Sequence, residues 1–226
     1  MNRKECVHQL LKNRKTKVYV EIGVSTGRIF FDIKSTTKYG VDPLFKFSWL
    51  KRFRRTLKNL RNVYAKFYPV TSDDFFARVA PRLFAKNKID ICLIDGFHEF
   101  PFALRDIENT LNHLKENGVI LVHDCNPTTK EKASSFEEWQ NRKFNGEWNG
   151  DVWKAIVYLR STRNDINIFV LDCDYGLGII TKGKPENNLP FAKEEINSLP
   201  YEEFEKNRLV WLNLKAPEYF YQYFNV

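Results

Sequence analysis

Long apolar runs are missing from this chain. No stretch of its 226 residues is apolar for long enough to cross a membrane. Met1 to Lys17 is polar and basic and lacks the apolar core of a secretory signal. Cysteine is scarce: Cys6, Cys92, Cys125 and Cys173 lie far apart, with no Cys-x-x-Cys pair. That spacing argues against a disulfide or zinc framework and for reduced thiols in the cytoplasm. There is no internal repeat and no low-complexity tract. Acid is absent from one whole stretch. Between Asp42 and Asp73 no Asp or Glu occurs, whereas Lys46, Lys51, Arg52, Arg54, Arg55, Lys58, Arg61 and Lys66 all do, in a chain of net charge +8. Aromatic residues are plentiful, with nineteen Phe and five Trp in a composition 43% hydrophobic, enough for one good core.

The acid-free stretch has two readings. It is a patch for phosphate-bearing partners, nucleic acid or an anionic lipid surface. Or it is a solvated helix face, with Phe47, Leu50, Phe53, Leu57 and Leu60 turned inward at helical spacing. The second is preferred because a clean apolar stripe accounts for the segment, and a nucleic-acid partner is not expected.

A second shortage is of glycine at one place. Val18, Tyr19, Val20 and Ile22 predict a short buried strand, Gly23 to Gly27 break it, and Ile29, Phe30 and Ile33 resume at helical spacing. A strand, a tight turn and a helix near 26–33 predict a ligand at the turn, beyond the carboxyl ends of parallel strands. The dinucleotide fingerprint needs a glycine where Ser25 stands. Glu21 before the turn would repel a pyrophosphate and suits a ligand with an ammonium group. Asp42, ending the next strand at 38–42, can accept from both hydroxyls of a ribose.

The rest of the chain alternates. A helix is expected at 5–13, a basic helix at 46–60, and a strand at 62–68. Thr71-Ser72-Asp73-Asp74 starts a helix that ends before Asn87. Ile89 to Ile94 is a strand broken only by Asp90. Pro101 opens a helix to about Lys115, closed by Asn117-Gly118, and Val119 to Val122 is a strand. A helix is expected at 152–159 and strands at 166–171 and 177–181. The link Asp172 to Gly176 is too short for a crossover, so the last two strands must be antiparallel. This pattern predicts an α/β, Rossmann-like, doubly wound sheet of about seven strands, mostly parallel with the last reversed and helices on both faces. Residues 125–149, with Trp139 and Trp148, read as a lid-like insertion. Residues 184–226 read as an acidic, aromatic extension packed on the domain or at a homodimer interface.

Glu21-x-Gly23-x-x-x-Gly27 with Asp42 at the next strand end resembles the class I S-adenosylmethionine-dependent methyltransferases, whose sheet also ends in a reversed strand. The resemblance covers about 17–182 and implies a methyltransferase domain at 1–183. It implies S-adenosylmethionine as cofactor, held by Glu21, Gly23, Ser25, Gly27, Asp42, Ser72, Asp73 and Asp95.

Two strand ends carry the chemistry. Ile94-Asp95-Gly96-Phe97-His98 ends one strand, and Val122-His123-Asp124-Cys125 ends the next, so Asp95, His98, His123 and Asp124 should converge beside the turn. No Asn/Asp-Pro-Pro-aromatic motif of amino-methylating enzymes stands there. Asp-Gly-x-His followed by His-Asp resembles the branch that includes macrolide-sugar and other glycosyl O-methyltransferases. That likeness implies His98 as base, and Asp95 and Asp124 as ligands of a divalent cation such as Mg²⁺. His123 is a weaker candidate ligand at a position often acidic in metal-dependent members, and Cys125 stands where the catechol type carries an oxygen ligand. The implied acceptor is a sugar, glycan or other small molecule. The other readings are an RNA-binding protein or RNA methyltransferase using 46–66, and a methyltransferase-like domain without catalysis. A sugar hydroxyl is about as weak an acid as water, pKa about 15, against about 6.5 for imidazole, a gap of about 12 kcal/mol. His98 must therefore take the proton as the new bond forms, or a cation must first acidify the hydroxyl.

Overall fold

The computed structural model describes residues 1–12, 14, 17–141 and 147–226. Strands β1 (Val18–Ile22), β2 (Thr37–Val41), β3 (Ala65–Tyr68), β4 (Ile89–Ile94), β5 (Leu114–Val122), β6 (Ile166–Leu171), β7 (Leu177–Lys182) and β8 (Leu214–Lys215) form one sheet, in the order β3-β2-β1-β4-β5-β7-β6-β8. The first five pair in parallel, and β7 lies antiparallel between β5 and β6. The short link after β6 thus forces the reversed strand the sequence predicts. The two-residue β8 pairs with β6 and brings the sheet to eight strands, where about seven were expected. Strand order switches between β1 and β4, which opens a crevice at their carboxyl ends.

The helices are α1 (Arg3–Lys12), α2 (Trp49–Lys58), α3 (Ser72–Arg78), α4 (Ala80–Leu83), α5 (Phe100–His113), α6 (Phe136–Asn141), α7 (Trp153–Thr162), α8 (Tyr201–Trp211) and α9 (Tyr219–Phe224). Residue 13, the expected end of the first helix, lies outside the described residues, as do 142–146 of the insertion. Alternate residues of the central strands feed two cores. Val20, Ile22, Cys92, Ile94, Ile120 and Val122 join α5 and α7 on one face. Tyr19, Ile91, Leu93, Val119 and Leu121 join α1 on the other. Asp90 is buried in β4 because Lys115 Nζ meets both its oxygens at 2.9 Å and Val18 N donates to it at 2.9 Å. The 184–226 segment packs on both faces: Phe204 stacks on Trp153 with ring centroids 4.4 Å apart, and the buried Phe220 joins the other core.

No helix forms at 26–33. Turns occupy 25–26 and 28–32 instead, and the carbonyls of this segment find donors elsewhere. The buried Lys38 ammonium donates to Phe30 O at 2.9 Å and Ile33 O at 3.0 Å, and also to Asn62 Oδ1. Asn59 Nδ2 donates to Phe31 O and Ile33 O, both at 3.0 Å. Helical spacing of Ile29, Phe30 and Ile33 was real, but the side chains of a later strand and turn took over the acceptors a helix would have used. Burial lowers the Lys38 pKa to about 8. Lys38→Met is expected to leave Phe30 O and Asn62 Oδ1 without this donor, while Ile33 O keeps Asn59, and to cost about 2–4 kcal/mol of stability, measurable as a lower urea midpoint. A midpoint unchanged from wild type would mean the segment folds without Lys38.

The inward stripe expected on the basic helix is also corrected. Phe47 does pack inward, on Phe31 with centroids 5.0 Å apart. Leu50, Phe53, Leu57 and Leu60 are exposed, and α2 buries no residue at all. The sheet face beneath is already covered by Phe30, Phe31, Phe45, Phe47 and Phe67. The helix settles on that layer through its polar side, with Arg55 Nη1 2.9 Å from Asp32 Oδ1 and the Arg52 guanidinium 4.8 Å over the Phe67 ring. At the other end of the sheet, Asn117-Gly118 does not close α5. The chain enters β5 at Leu114, which pairs with Ile89 before a register shift.

Candidate active site

Gly23 follows β1 with φ +82°, and a Cβ there would lie 1.8 Å from Asp95 O. Only a glycine lets the ends of β1 and β4 come this close. The cleft beyond them has a volume of about 570 Å³, and Gly23, Ser25, Asp42, Ser72, Asp73, Asp95 and Asp106 line it along with Lys46, Phe97 and Phe102. Asp42 Oδ2 accepts from Ser25 N and Oδ1 from Leu44 N, each at 2.7 Å, which fixes its carboxylate at the wall. Asp73 is held by Arg105 at 3.1 Å, and Arg105 lies over the Phe102 ring. A wall carrying Asp42, Asp73 and Asp95 against the single Lys46 favours a cationic ligand and opposes a pyrophosphate.

Two expected cofactor residues stand behind this wall. Glu21 is buried among β2 and β4 neighbours, where it accepts from Tyr19 Oη at 2.5 Å. Burial pushes its carboxyl up to about 8. Gly27 sits in the turn with φ +73°, where a Cβ would strike the Phe31 ring. Both shape the turn rather than line the cleft.

Asp95, His98, His123 and Asp124 do converge. His98 Nε2 lies 3.5 Å from Asp95 Oδ1, and its Nδ1 lies 3.2 Å from Asp124 Oδ2. His123 Nδ1 lies 2.8 Å from Asp124 Oδ2 and 3.2 Å from Asp95 Oδ1, yet it is out of line for a hydrogen bond. Asp124 itself adopts φ +62°, a conformation Asp tolerates better than most residues. Asp95 is the link, because it lines the cleft and touches both histidines, while His98 and Asp124 lie just behind it. Burial opposes ionisation of Asp95, but His123, His98 and Arg3 outweigh it and hold the carboxyl well below the usual range. Burial likewise opposes charge on His98, and Asp95 and Asp124 raise its pKa above the ordinary value. His123 is raised further, with Asp124, Asp174 and Asp95 overcoming its burial. Arg3 touches His123 Nε2, a contact that asks for an uncharged ring; three carboxylates against one guanidinium favour the charged one.

One ligand atom each from Asp95, His98 and Asp124 falls within 4.8 Å of the others, and the orphaned Nδ1 of His123 faces the same carboxylates. Two carboxylate oxygens and an imidazole nitrogen fit a hard divalent cation. Cys125 is turned away, its buried Sγ donating to Val122 O.

Four participants escaped the sequence reading. Arg3, from α1, meets Asp95 at 3.5 Å and Asp174 at 2.8 Å. Asp174 comes from the β6–β7 hairpin, and Asn149 donates to Asp124 from the far end of the insertion. Asp106 lies within the inward stripe of α5, between Ala103 and Thr110, and burial pushes its carboxyl up to about 7. An acid in an apolar stripe was a readable signal; the other three come from distant segments with no motif. The insertion folds back on His98: Nδ1 lies 2.9 Å from Trp148 O, the rings stack, and Gly150 (φ +62°) passes where a Cβ would strike His98 O.

Residues 20–125 match the family model described as a methyltransferase domain. No curated protein matches the chain. Several solved structures share the fold. A cofactor-bound protein from MTB has a TM-score of 0.59 at 12% identity, covering 79% of this chain and 78% of its own. An O-methyltransferase from Bacillus cereus in complex with SAH has a TM-score of 0.56 at 10% identity, covering 79% of each chain. An rRNA methylase from Streptococcus thermophilus has a TM-score of 0.50 at 12% identity, covering 79% of this chain and 93% of its own. Residues 20–125 are thus matched as a methyltransferase domain, in a chain whose fold is that of the class I S-adenosylmethionine-dependent methyltransferases.

Proposed function

We propose that the chain transfers the methyl group of S-adenosylmethionine to a hydroxyl oxygen of a sugar, glycan or other small molecule. The observation that carries this reading is the meeting of Asp95, His98, His123 and Asp124 at the rim of an acidic cleft. The cleft wall suits a ligand bearing ammonium and sulfonium charges, with Asp42 as acceptor for the ribose hydroxyls. The aromatic group of Phe97, Phe136, Trp139 and Trp148 beside His98 offers flat apolar faces for sugar rings.

In the proposed reaction the acceptor oxygen attacks the methyl carbon in line with the departing sulfur. The C–S bond breaks, its electron pair stays on sulfur, and the hydroxyl proton goes to His98 Nε2. The Trp148 carbonyl can only accept, so in the neutral ring Nδ1 carries the proton and Nε2 is the base; Asp95 and Asp124 raise the ring's pKa, so this neutral form gains as pH rises. Asp95 and Asp124 hold the imidazole in place. Asp95 and Asp124 would also hold a divalent cation, with a His98 nitrogen as third donor; such an ion, when bound, lowers the pKa of a hydroxyl on it.

Radiolabelled S-adenosylmethionine with a panel of hydroxylated acceptors tests this function. Label is expected in an alkali-stable methyl ether. Full activity after exhaustive chelation would remove the cation and spare His98 as base; activity lost on chelation and restored by Mg²⁺ would support a cation held by Asp95 and Asp124. Label appearing only in RNA would overturn the acceptor class.

A further inference from the structure

We propose that α2 and the turn after it dock this protein on an anionic lipid surface. Trp49, Phe53 and Leu57 are 79%, 55% and 63% exposed and form one stripe with Leu50 at helical spacing on α2, and Leu60, 70% exposed, follows in the turn after it. Lys51, Arg54, Lys58 and Arg61 flank it, in a stretch from Asp42 to Asp73 that contains no acid between its ends. This outward orientation is fixed from below. Arg55 is paired to Asp32 at 2.9 Å, Asn59 donates to two carbonyls at 3.0 Å, and Arg52 lies over Phe67. The helix cannot roll its apolar side inward without breaking those contacts.

Charge and shape select the occupant. An apolar stripe of Trp, Phe and Leu bordered by Lys and Arg is the make-up of a helix lying in the plane of a membrane interface, with its stripe among acyl chains and its cations at head-group phosphates. A second copy meeting this face about a two-fold axis would set Lys51, Arg54, Lys58 and Arg61 against their own counterparts. A nucleic acid would satisfy the cations and leave the leucines in water. No described helix is long and apolar enough to cross a bilayer, so the attachment is peripheral and reversible.

Vesicle sedimentation tests this with the full chain. Binding is expected to vesicles of phosphatidylcholine with about one quarter phosphatidylglycerol, falling about tenfold or more on pure phosphatidylcholine and weakening as salt rises. The double variant Phe53→Glu, Leu57→Glu should lose about tenfold or more of that binding. Both side chains are exposed and outside the cleft, so its melting temperature and its response to S-adenosylmethionine should match wild type. Wild-type protein left in the supernatant with the anionic vesicles would overturn the proposal. So would equal binding by the double variant. Tight retention on RNA with none on vesicles would assign the face to nucleic acid, and concentration-dependent dimerisation that buries it would assign it to a second copy.

Discussion

Gly23→Val is expected to abolish cofactor binding. The residue sits at φ +82°, where a β-branched side chain is strained, and its Cβ would fall 1.8 Å from Asp95 O, with Gly96 Cα 2.8 Å away. The obstacle is backbone, so no rotamer change relieves it. The ends of β1 and β4 must separate, and that moves the cleft floor and Asp95 together. A loss of at least about 3 kcal/mol follows, on the order of 10²-fold or more in affinity for S-adenosylmethionine. Gly183 supplies the control: it too has positive φ, +134°, but a Cβ there would meet nothing within 4 Å. Gly183→Ala should bind cofactor as wild type does. Equal loss in both variants would mean general destabilisation; wild-type binding by Gly23→Val would mean the β1–β4 crevice is not the cofactor site.

His98→Ala is expected to slow methyl transfer by about 10²–10⁴-fold, the range for a lost general base, with cofactor affinity nearly unchanged. Alanine also removes the contact to the Trp148 carbonyl and the ring stack, so a lid effect must be separated from the chemistry. His98→Asn does this. Its amide can still donate toward Trp148 O, but it takes up no proton at neutral pH. As slow a rate in His98→Asn as in His98→Ala assigns the loss to the base. Recovery to within a few-fold of wild type assigns His98 to holding the insertion, and leaves His123 as the residue to test.

Much of the fold was legible because the strands are short, buried on both sides and separated by turns. Val18 to Ile22, Ile89 to Ile94 and Ile166 to Leu171 appear in the sheet within a residue of their expected bounds. The reversed strand followed from a loop too short to cross over. What failed was orientation and competition. The stripe on α2 was read correctly as a stripe, but periodicity does not say which side meets the body, and a layer of phenylalanines had already filled the sheet face. The 26–33 helix lost to Lys38 and Asn59, whose donors arrive from later in the chain. Strand-end residues such as Asp95, His98 and Asp124 converge because adjacent parallel strands must point the same way. Arg3, Asn149 and Asp174 reach the same cluster from α1, the insertion and a hairpin, and nothing local to those segments marks them.

We propose that the acidic cleft between β1, β2 and β4 holds S-adenosylmethionine. Titration calorimetry with S-adenosylhomocysteine, on wild type and on Asp42→Ala, tests it most directly. In the proposed site Asp42 would accept from the ribose hydroxyls, and hydrogen bonds to charged groups contribute about 1.5–3 kcal/mol. Saturable one-to-one binding to wild type, weakened about tenfold or more in Asp42→Ala, is the expected result. No binding to wild type at millimolar ligand, or preferential binding of a nicotinamide dinucleotide, would mean the cleft is not a site for S-adenosylmethionine.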